Sequence, residues 1–324
     1  MKHARVIALV LVACVLSVLC VGVHSAAASE VNWPTRNVTI VVPFAAGGVT
    51  DLLTRVLARN LSEQWGVQVV VENMPGGGSL TGIAHVIAQP ADGYTMVCNS
   101  PTVMLTQYTT EVFIPFSDFT PLIKVADSFC TLTVHKDVPY NSITEFVEAA
   151  RTRDEPFTMA VSGAMSIWYA LAEEFARAAG IEFDYIPYDG GAPAAAAVAG
   201  GHVEACMIDV ATIIPLLDTG EIRSIGYFGP SRNSIIPDAQ TAIEAGFEGL
   251  TLTSFFGIVL PNGVDQAIMD KISLGFKNAL ESEEVTTFLN ESIVGTENGY
   301  MPQDEYIAFM QGLNDKYRIF FADN

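Results

Sequence analysis

The sequence predicts an α/β protein of two domains, and three observations support this fold class. The chain has 324 residues, which exceeds the size at which a single hydrophobic core is usual. Strand-like and helix-like segments alternate up to about residue 98, and the same alternation begins again near residue 157. Extended apolar segments flank the second run, as expected of strands that cross between two domains.

The first domain is predicted from five segments that alternate between strand and helix. Apolar runs predict the strands, and apolar residues at helical spacing predict the helices. In chain order they are a strand over Val38–Val42, a helix over 51–65, a strand over Val67–Val71, a helix over 79–88 and a strand over Thr95–Cys98. This order favours a mostly parallel sheet, and ligands bind such sheets at the carboxyl ends of the strands.

The second domain repeats the same order. Its predicted strands are Phe157–Val161, Phe183–Ile186 and Ala205–Ile208, and the helices that follow them are 166–179, 190–200 and 211–219. Cys130–Val134 and Leu252–Val259 are predicted to be the crossing strands and to act as hinges. We therefore expect residues 29–130 and 253–324 to form domain 1 and residues 131–252 to form domain 2. Helices at 264–280, 282–290 and 302–320 are expected to pack back on domain 1.

The first 28 residues are predicted to be a secretory signal peptide. Lys2 and Arg5 precede an apolar run from Val6 to Val23, and small residues up to Ala28 follow. Cleavage is expected after Ala28, which would place the mature protein in the periplasm. An uncleaved membrane anchor and a lipoprotein processed at Cys14 are the alternatives, although the chain stays apolar beyond Cys14 where a lipoprotein usually turns polar.

The charge of the chain excludes several kinds of partner. Residues 1–28 contain two basic and no acidic residues, so the remaining chain has 14 basic and 36 acidic residues, a formal net charge of −22. Nucleic acid and anionic membrane surfaces are poor partners for such a protein. No later stretch approaches the ~20 apolar residues of a spanning helix, so we expect an exported, soluble chain.

Cysteine and histidine spacing indicates no metal site or cofactor. Cys98, Cys130 and Cys206 remain after the signal peptide, without CxxC or metal-ligand spacing. They allow at most one internal disulfide, and buried free thiols are the preferred interpretation. The five histidines form no HxxxH or HExxH pattern.

Motifs for catalysis and nucleotide binding are absent from the sequence. Ser162 lacks the first glycine of a GxSxG nucleophile elbow. The glycine run Gly76–Gly78 precedes a helix but lacks the Lys-Ser/Thr of a P-loop, and no GxGxxG motif opens a helix after a strand. The carboxylates form no evident acid/base pair and are interpreted as solvated surface. The sequence therefore favours a binding protein over an enzyme.

The turn after the first strand is the best candidate for an anion site. Residues 43–48 lead directly into a helix, whose N-terminus presents backbone N–H groups. Gly47 and Gly48 allow a ligand to approach closely, and Thr50 or Asp51 can cap the helix. A plain capped strand-to-helix turn is an equally good interpretation of this segment alone.

Several short motifs follow this turn at set intervals. They are Trp33-Pro34, Val41–Asp51, Val69–Gly78, Ala91–Thr95, Tyr185–Pro193 and Ala199–Glu204. In this order they resemble the extracytoplasmic solute-binding proteins of tripartite tricarboxylate transporters, the Bug or TctC-like family, over residues 31 to 320. The resemblance implies a type II periplasmic-binding-protein fold, with two α/β domains joined by crossing strands and a ligand cleft between them. It also implies capture of a small carboxylate, without catalysis or cofactor, for delivery to two membrane subunits.

The resemblance also implies which residues contact the ligand, mainly through backbone N–H groups, hydroxyls and ordered waters. On this sequence they are Phe44, Ala45, Ala46, Gly47, Gly48 and Asp51 in the first turn, Ser100 and Pro101 after the third strand, Ser162, Gly163 and Ser166 in the turn that opens the middle domain, and Asp209 at a middle-domain strand end. Two alternatives remain open: Asp51 caps its helix and points away from the ligand, or Ser162 and Ser166 serve only as caps.

The sequence departs from the family pattern at two places. Trp168-Tyr169 stands where a Ser-His pair is usual, and Asp189 stands where a basic residue usually precedes Gly-Gly. We hypothesise that Trp168 faces the cleft and favours an apolar or aromatic ligand body. The alternative is a Trp168 packed in the interdomain core.

The leading functional prediction is a periplasmic receptor for a mono-, di- or tricarboxylate, with an aromatic ligand as one option, acting as a monomer. A receptor that presents its ligand state to a membrane sensor kinase is the alternative within the binding class. An exported α/β enzyme acting on carboxylates is the alternative from another class, and a nucleophile, metal or cofactor group in the cleft would distinguish it.

Overall fold

The computed structural model describes residues 31–109, 113–163, 166–250, 253–292 and 299–322. From Pro34 onward the chain forms one compact unit. The predicted signal peptide lies outside the described residues. Among the residues that are described, no helix combines the length and apolar content needed to cross a bilayer.

The first half of the sheet forms as the alternation predicts. It comprises β1 (Val38–Val42), α1 (Val49–Trp65), β2 (Val69–Asn73), α2 (Leu80–Ile87), β3 (Thr95–Asn99) and α3 (Thr102–Thr109). Helix α1 begins two residues earlier than expected, directly after Gly48, and ends at Gly66 in the left-handed conformation. Helix α3 was not predicted; it begins directly after Ser100-Pro101, without an intervening loop.

Strand β4 (Phe119–His135) is longer than the predicted crossing strand Cys130–Val134. Its first part contains Lys124, Asp127 and Ser128, which interrupt the apolar run. These side chains are nonetheless buried, and Lys124 Nζ lies 2.7 Å from Asp127 Oδ2. Pairing of charged groups inside the strand therefore hid its true length from the sequence pattern.

The second half also follows the predicted order, with additions. It comprises α4 (Ile143–Thr152), β5 (Phe157–Val161), α5 (Ile167–Ala179), β6 (Phe183–Pro187), α6 (Gly191–Ala199), β7 (Ala205–Asp209), α7 (Val210–Thr219), β8 (Ile222–Tyr227) and β9 (Gln240–Thr241). Helix α4 and strands β8 and β9 were not predicted.

The C-terminal elements return to the first half, as expected. They are β10 (Thr253–Pro261), α8 (Gln266–Leu280), α9 (Glu283–Ser292) and α10 (Gln303–Ala322). Helix α8 packs on α1 through Trp65 and Phe276, whose rings meet edge to face at 6.4 Å. In α10, Tyr306 donates a hydrogen bond from its hydroxyl to Asn99 Oδ1 at the end of β3. The expected packing of these helices is confirmed.

All ten strands belong to one hydrogen-bonded sheet, with β2-β1-β3-β10-β4-β7-β5-β6 in order and β8 paired to β4 and β9. Within each half the central strands are parallel: β1 pairs with β2 and β3, and β5 pairs with β6 and β7. Strands β4 and β10 run antiparallel to their neighbours and to each other. Two parallel α/β halves are thus joined by long antiparallel strands, which confirms the predicted class.

Three cysteines of the described chain, Cys98, Cys130 and Cys206, are buried free thiols. Burial raises the pKa of each thiol above its ordinary value. The thiols are therefore neutral and pack as small apolar groups, in agreement with the preferred interpretation.

Candidate functional site

A narrow pocket lies where the carboxyl ends of strands from both halves meet, which is the usual ligand position in such sheets. Its free volume is about 30 Å³. The lining residues come from the first turn and α1 (Phe44, Gly48, Val49, Thr50), the end of β3 (Ser100, Thr102), the end of β5 and start of α5 (Ser162, Ile167, Trp168), the start of α6 and α7 (Gly191, Asp209, Thr212) and β10 (Ser254, Phe256).

Six of the sequence-predicted site residues line this pocket: Phe44, Gly48, Ser100, Ser162, Trp168 and Asp209. Ala46 and Gly47 lie exposed in the first turn beside it. Pro101 is buried behind Ser100, and its carbonyl accepts the N–H groups that open α3. Gly163 and Ser166 form the turn before α5, where the Ser166 hydroxyl accepts a hydrogen bond from Tyr169 N–H at 3.1 Å.

The carboxylate of Asp51 is directed into its own turn. It accepts hydrogen bonds from Gly47 N–H at 2.9 Å and from Asn73 Nδ2 at 2.9 Å. Arg55, one helical turn later, completes an ion pair at 2.9 Å. The Asn73 amide also donates to the Phe44 carbonyl. Asp51 therefore fixes the shape of residues 44–47 and does not line the pocket.

The pKa of Asp51 is held below its ordinary value. Burial by itself raises this pKa, but the hydrogen bonds from Arg55, Gly47 and Asn73 outweigh burial. Asp51 is accordingly ionised at neutral pH. Its negative charge is used within the turn, which leaves the N-terminus of α1 to attract an anion from outside.

The first turn contacts the second half directly. Ala45 N–H donates to the Asp189 carbonyl at 3.1 Å, and Val49 N–H donates to Thr212 Oγ1 at 3.0 Å. Gly190 has a φ of +137°, and a Cβ there would lie 3.3 Å from Ala45 N. Only glycine suits both the backbone conformation and the close approach. The two halves are therefore closed against each other at the pocket.

Asp209 forms the floor of the pocket on the side of the second half. Its Oδ2 accepts a hydrogen bond from Trp168 Nε1 at 2.9 Å, and its Oδ1 accepts one from Ser128 Oγ at 2.5 Å. Trp168 is 3% exposed and Asp209 is 6% exposed. Because Ser128 lies on β4, this cluster ties the second half to the crossing strand.

Burial raises the pKa of Asp209 to about 6, against the opposing effect of the hydrogen bonds from Ser128 and Trp168. The ordinary value for this carboxyl group is 3.8. Asp209 thus stays mainly ionised at neutral pH, and the side chains that donate to it among the described residues, Ser128 and Trp168, are neutral. Its position at the N-terminus of α7 gives the charge partial compensation.

Eight lining residues were not predicted from the sequence: Val49, Thr50, Thr102, Ile167, Gly191, Thr212, Ser254 and Phe256. Each lies within a few residues of a predicted turn or inside the predicted crossing strand. Thr212 opens a predicted helix three residues after Asp209, where a side chain projects toward the strand ends. Ser254 and Phe256 are alternate residues of β10, and period-two spacing places them on one face.

The chemistry of the pocket is that of a binding site with hydroxyl groups and apolar rings. Serine and threonine hydroxyls act as both donors and acceptors, and Phe44, Trp168 and Phe256 supply aromatic surface. Within the described part of the chain, no group of three or more His, Cys, Asp or Glu side chains is placed to hold a metal ion.

Comparison with known sequences identifies similar proteins over most of the chain. The profile of the tripartite tricarboxylate transporter family receptors, TctC, matches residues 53–320. The UPF0065 protein in the gbd 5′ region of Cupriavidus necator is 30% identical over 310 residues, covering 95% of this chain and 94% of that protein. Protein BugT of Bordetella pertussis is 28% identical over 265 residues, covering 81% of each.

Comparison with solved structures finds the same fold. R. palustris Rpa4515 with adipate has a TM-score of 0.80 and 31% identity, covering 89% of this chain and 96% of that chain. MatC (Rpa3494) from Rhodopseudomonas palustris with bound malate has a TM-score of 0.78 and 25% identity, covering 90% and 99%. The periplasmic binding protein BugD, at 24% identity, has a TM-score of 0.83 over 90% and 98%. The predicted two-domain periplasmic-binding-protein fold is confirmed.

Proposed function

Because the chain belongs to the tripartite tricarboxylate transporter receptor family, we propose that it is an exported solute-binding protein that captures a small carboxylate. It delivers this ligand, as a monomer, to the two membrane subunits of a tripartite tricarboxylate transporter. The observation that carries the proposal is the N-terminus of α1, which opens into a pocket between the two halves. Receptors of this family bind their ligands and do not transform them.

The backbone supplies the affinity for the carboxylate. The first N–H groups of a helix have no acceptor within the helix. In α1 the Val49 N–H donates to the Thr212 hydroxyl, and the N–H groups of Thr50 and Asp51 come next along the helix. Hydroxyls of Ser100 and Ser162 line the same pocket. Without residues 1–28 the chain has 14 basic and 36 acidic residues, a formal net charge of −22. Such a chain offers an anion no long-range attraction, so these local dipoles must favour it. Adipate and malate in the related structures are carboxylates of this kind.

Ligand entry requires the two halves to separate. A free volume of about 30 Å³ holds roughly one water molecule, whereas adipate has ten heavy atoms. Strands β4 and β10 connect the halves, and their register shifts at Phe256/Gly257 and Ile258/Val259. We propose that these strands are the hinge, with residues 29–130 and 253–324 moving against residues 131–252.

Trp168 is proposed to set the preference for the ligand body. Trp168 lines the pocket, and its indole N–H donates a hydrogen bond to the Asp209 carboxylate. A Trp168→Ser variant should therefore shift preference away from ligands with apolar or aromatic bodies, measured on a panel of aliphatic and aromatic carboxylates. An unchanged ranking across the panel would contradict this role.

The proposed function is tested with the purified protein. Native mass spectrometry should detect a co-purified acid, and that acid at a hundredfold excess over Kd should stabilise the fold by about 3 kcal/mol. Ser162→Ala removes a hydroxyl from the pocket and should weaken binding roughly tenfold. Ser117→Ala removes an exposed hydroxyl elsewhere and serves as the matched control. Turnover of the acid, or no binding by any carboxylate, would contradict the proposal.

A further inference from the structure

The charge of the pocket restricts which carboxylates it accepts. Asp209 is the one charged side chain among the lining residues of the described chain. The internal positions outside the described ranges, 110–112, 164–165, 251–252 and 293–298, contain no Lys, Arg or His in the sequence. No basic side chain from those positions therefore neutralises Asp209 or a second ligand anion.

The two sides of the pocket favour opposite charges. The N-terminus of α1 carries about half a positive charge and suits one carboxylate. On the other side, Asp209 is 6% exposed, and its carboxylate is in contact with the neutral side chains of Ser128 and Trp168. A second ligand carboxylate near Asp209 would place like charges close together at low dielectric, which is strongly unfavourable.

Asp209 has capacity for a further hydrogen-bond donor. Its carboxylate accepts hydrogen bonds from the side chains of Trp168 and Ser128 and from its own backbone N–H, whereas a carboxylate offers about four acceptor sites. Its pKa of about 6 keeps it mainly ionised near pH 7.5, and the neighbouring Cys130 thiol is neutral because burial raises its pKa. Aromatic rings also favour the binding of a cation. The rings of Phe44, Trp168 and Phe256 line the same pocket as Asp209.

We infer that the pocket selects a zwitterionic ligand, with a carboxylate at the N-terminus of α1 and an ammonium group on Asp209. This inference rests on the proposed function and narrows its ligand class to amino-bearing carboxylates of no net charge. The aromatic rings pack on the apolar body between the two charged groups. A dicarboxylate of the same length is the ligand that the pocket discriminates against.

Matched ligand pairs test the inference by isothermal titration calorimetry at pH 7.5. The pairs are succinate with 4-aminobutanoate, adipate with 6-aminohexanoate, and terephthalate with 4-(aminomethyl)benzoate, in which an ammonium group replaces one carboxylate. We expect at least one amino member to bind at least tenfold more tightly than its dicarboxylate partner. Preference for the dicarboxylate in every pair, or no binding by any amino member, would overturn the inference.

The Asp209→Asn variant keeps the shape of the floor but removes its charge. It should weaken the binding of the preferred amino ligand at least tenfold and strengthen the binding of its dicarboxylate partner. Asp184→Asn is the matched control, because Asp184 is an exposed residue of β6 and does not line the pocket. Equal effects of the two variants would overturn the role of Asp209.

The proposed function and this inference fail in different ways. If dicarboxylates bind and the amino ligands do not, the preference for a zwitterionic ligand is refuted. The proposed function as a carboxylate receptor is then still supported. Absence of binding by both members of every pair, together with no co-purified acid, refutes both.

Discussion

The two sides of the pocket each carry a buried aspartate, and their surroundings differ. Asp51, on the first side, is surrounded by donors: Gly47 N–H, Asn73 and the guanidinium of Arg55. Asp209, on the second side, accepts hydrogen bonds from the neutral side chains of Trp168 and Ser128. The same residue type thus has a lowered pKa on one side and a raised pKa on the other.

The two sides of the pocket therefore present different groups to its interior. On the first side the side-chain charge is satisfied internally, so the backbone dipoles of α1 face the ligand. On the second side the Asp209 side chain itself lines the pocket, and the N-terminus of α7 compensates its charge only in part. Under the proposed function, the first turn would hold the carboxylate common to the ligand class, and the second side would distinguish among its members.

The largest expected effect is the pH dependence of stability due to Asp209. Its folded pKa of about 6 lies above the ordinary 3.8, so the folded state binds the proton more tightly than the unfolded state. This contribution is fully present below about pH 4 and is lost as the pH rises through 6, amounting to at most about 3 kcal/mol. The measurement is urea denaturation of the wild type and of Asp209→Asn at pH values from 4 to 7.5.

Other carboxyl groups titrate over the same range, so the difference between the two proteins is the relevant quantity. The free energy of unfolding of the wild type should fall relative to that of Asp209→Asn as the pH rises. Parallel pH profiles would show that Asp209 is not a costly buried charge and would remove the contrast between the two sides.

A smaller effect of opposite sign is expected on the first side. Asp51→Asn weakens the ion pair and leaves one of the converging donors unsatisfied, so it should destabilise the fold at pH 7 by about 2 kcal/mol, a value reduced because Arg55 is half exposed. Urea denaturation at pH 7 measures it. As a control, Arg36→Gln removes an exposed ion pair with Asp92 and should change stability by less than about 1 kcal/mol. Stabilisation by Asp51→Asn would contradict the assignment.

An effect smaller than those at Asp209 and Asp51 is expected of Trp168→Phe. The substitution keeps an aromatic ring in the pocket but removes the N–H that Asp209 accepts, which should cost about 1.5 kcal/mol at pH 7. It should also raise the pKa of Asp209 further, because one stabilising donor is lost. Denaturation of the single and double variants with Asp209→Asn measures the coupling between them. Additive effects would show that the indole N–H does not support the carboxylate.

Local sequence pattern was sufficient to predict most of the two parallel halves. β1 and β5 match their predicted limits, because short apolar runs bounded by turn residues are distinctive. Helix α4 and strand β8 were missed, and so was the first part of β4, where the Lys124–Asp127 pair is buried. Partners that neutralise a buried charge or cover a strand are set by tertiary structure, which a local window does not contain.

The site was predictable only in part for the same reason. The small-residue turn after the first strand indicated Gly48, and the family resemblance implied Ser100 and Ser162; all three line the pocket. The contact of Asp209 with Ser128, by contrast, joins residues 81 positions apart. Nothing in the sequence around either residue indicates the other. Similarly, the direction of the Asp51 side chain depends on Asn73, at the end of a different strand.

The order in which the strands occur along the chain has a consequence for folding. Strand β10 lies between β3 and β4 in the sheet, and Gly257 pairs with Asn99, 158 positions earlier. Until β10 has been synthesised, β3 and β4 each present an unpaired edge, whereas β5, β6 and β7 already have their neighbours. Such non-local pairing is slow, and open edges promote aggregation. Strands β5, β6 and β7 therefore have their pairing partners before β3 and β4 have theirs, because β10 is available only once residues 253–261 have been synthesised.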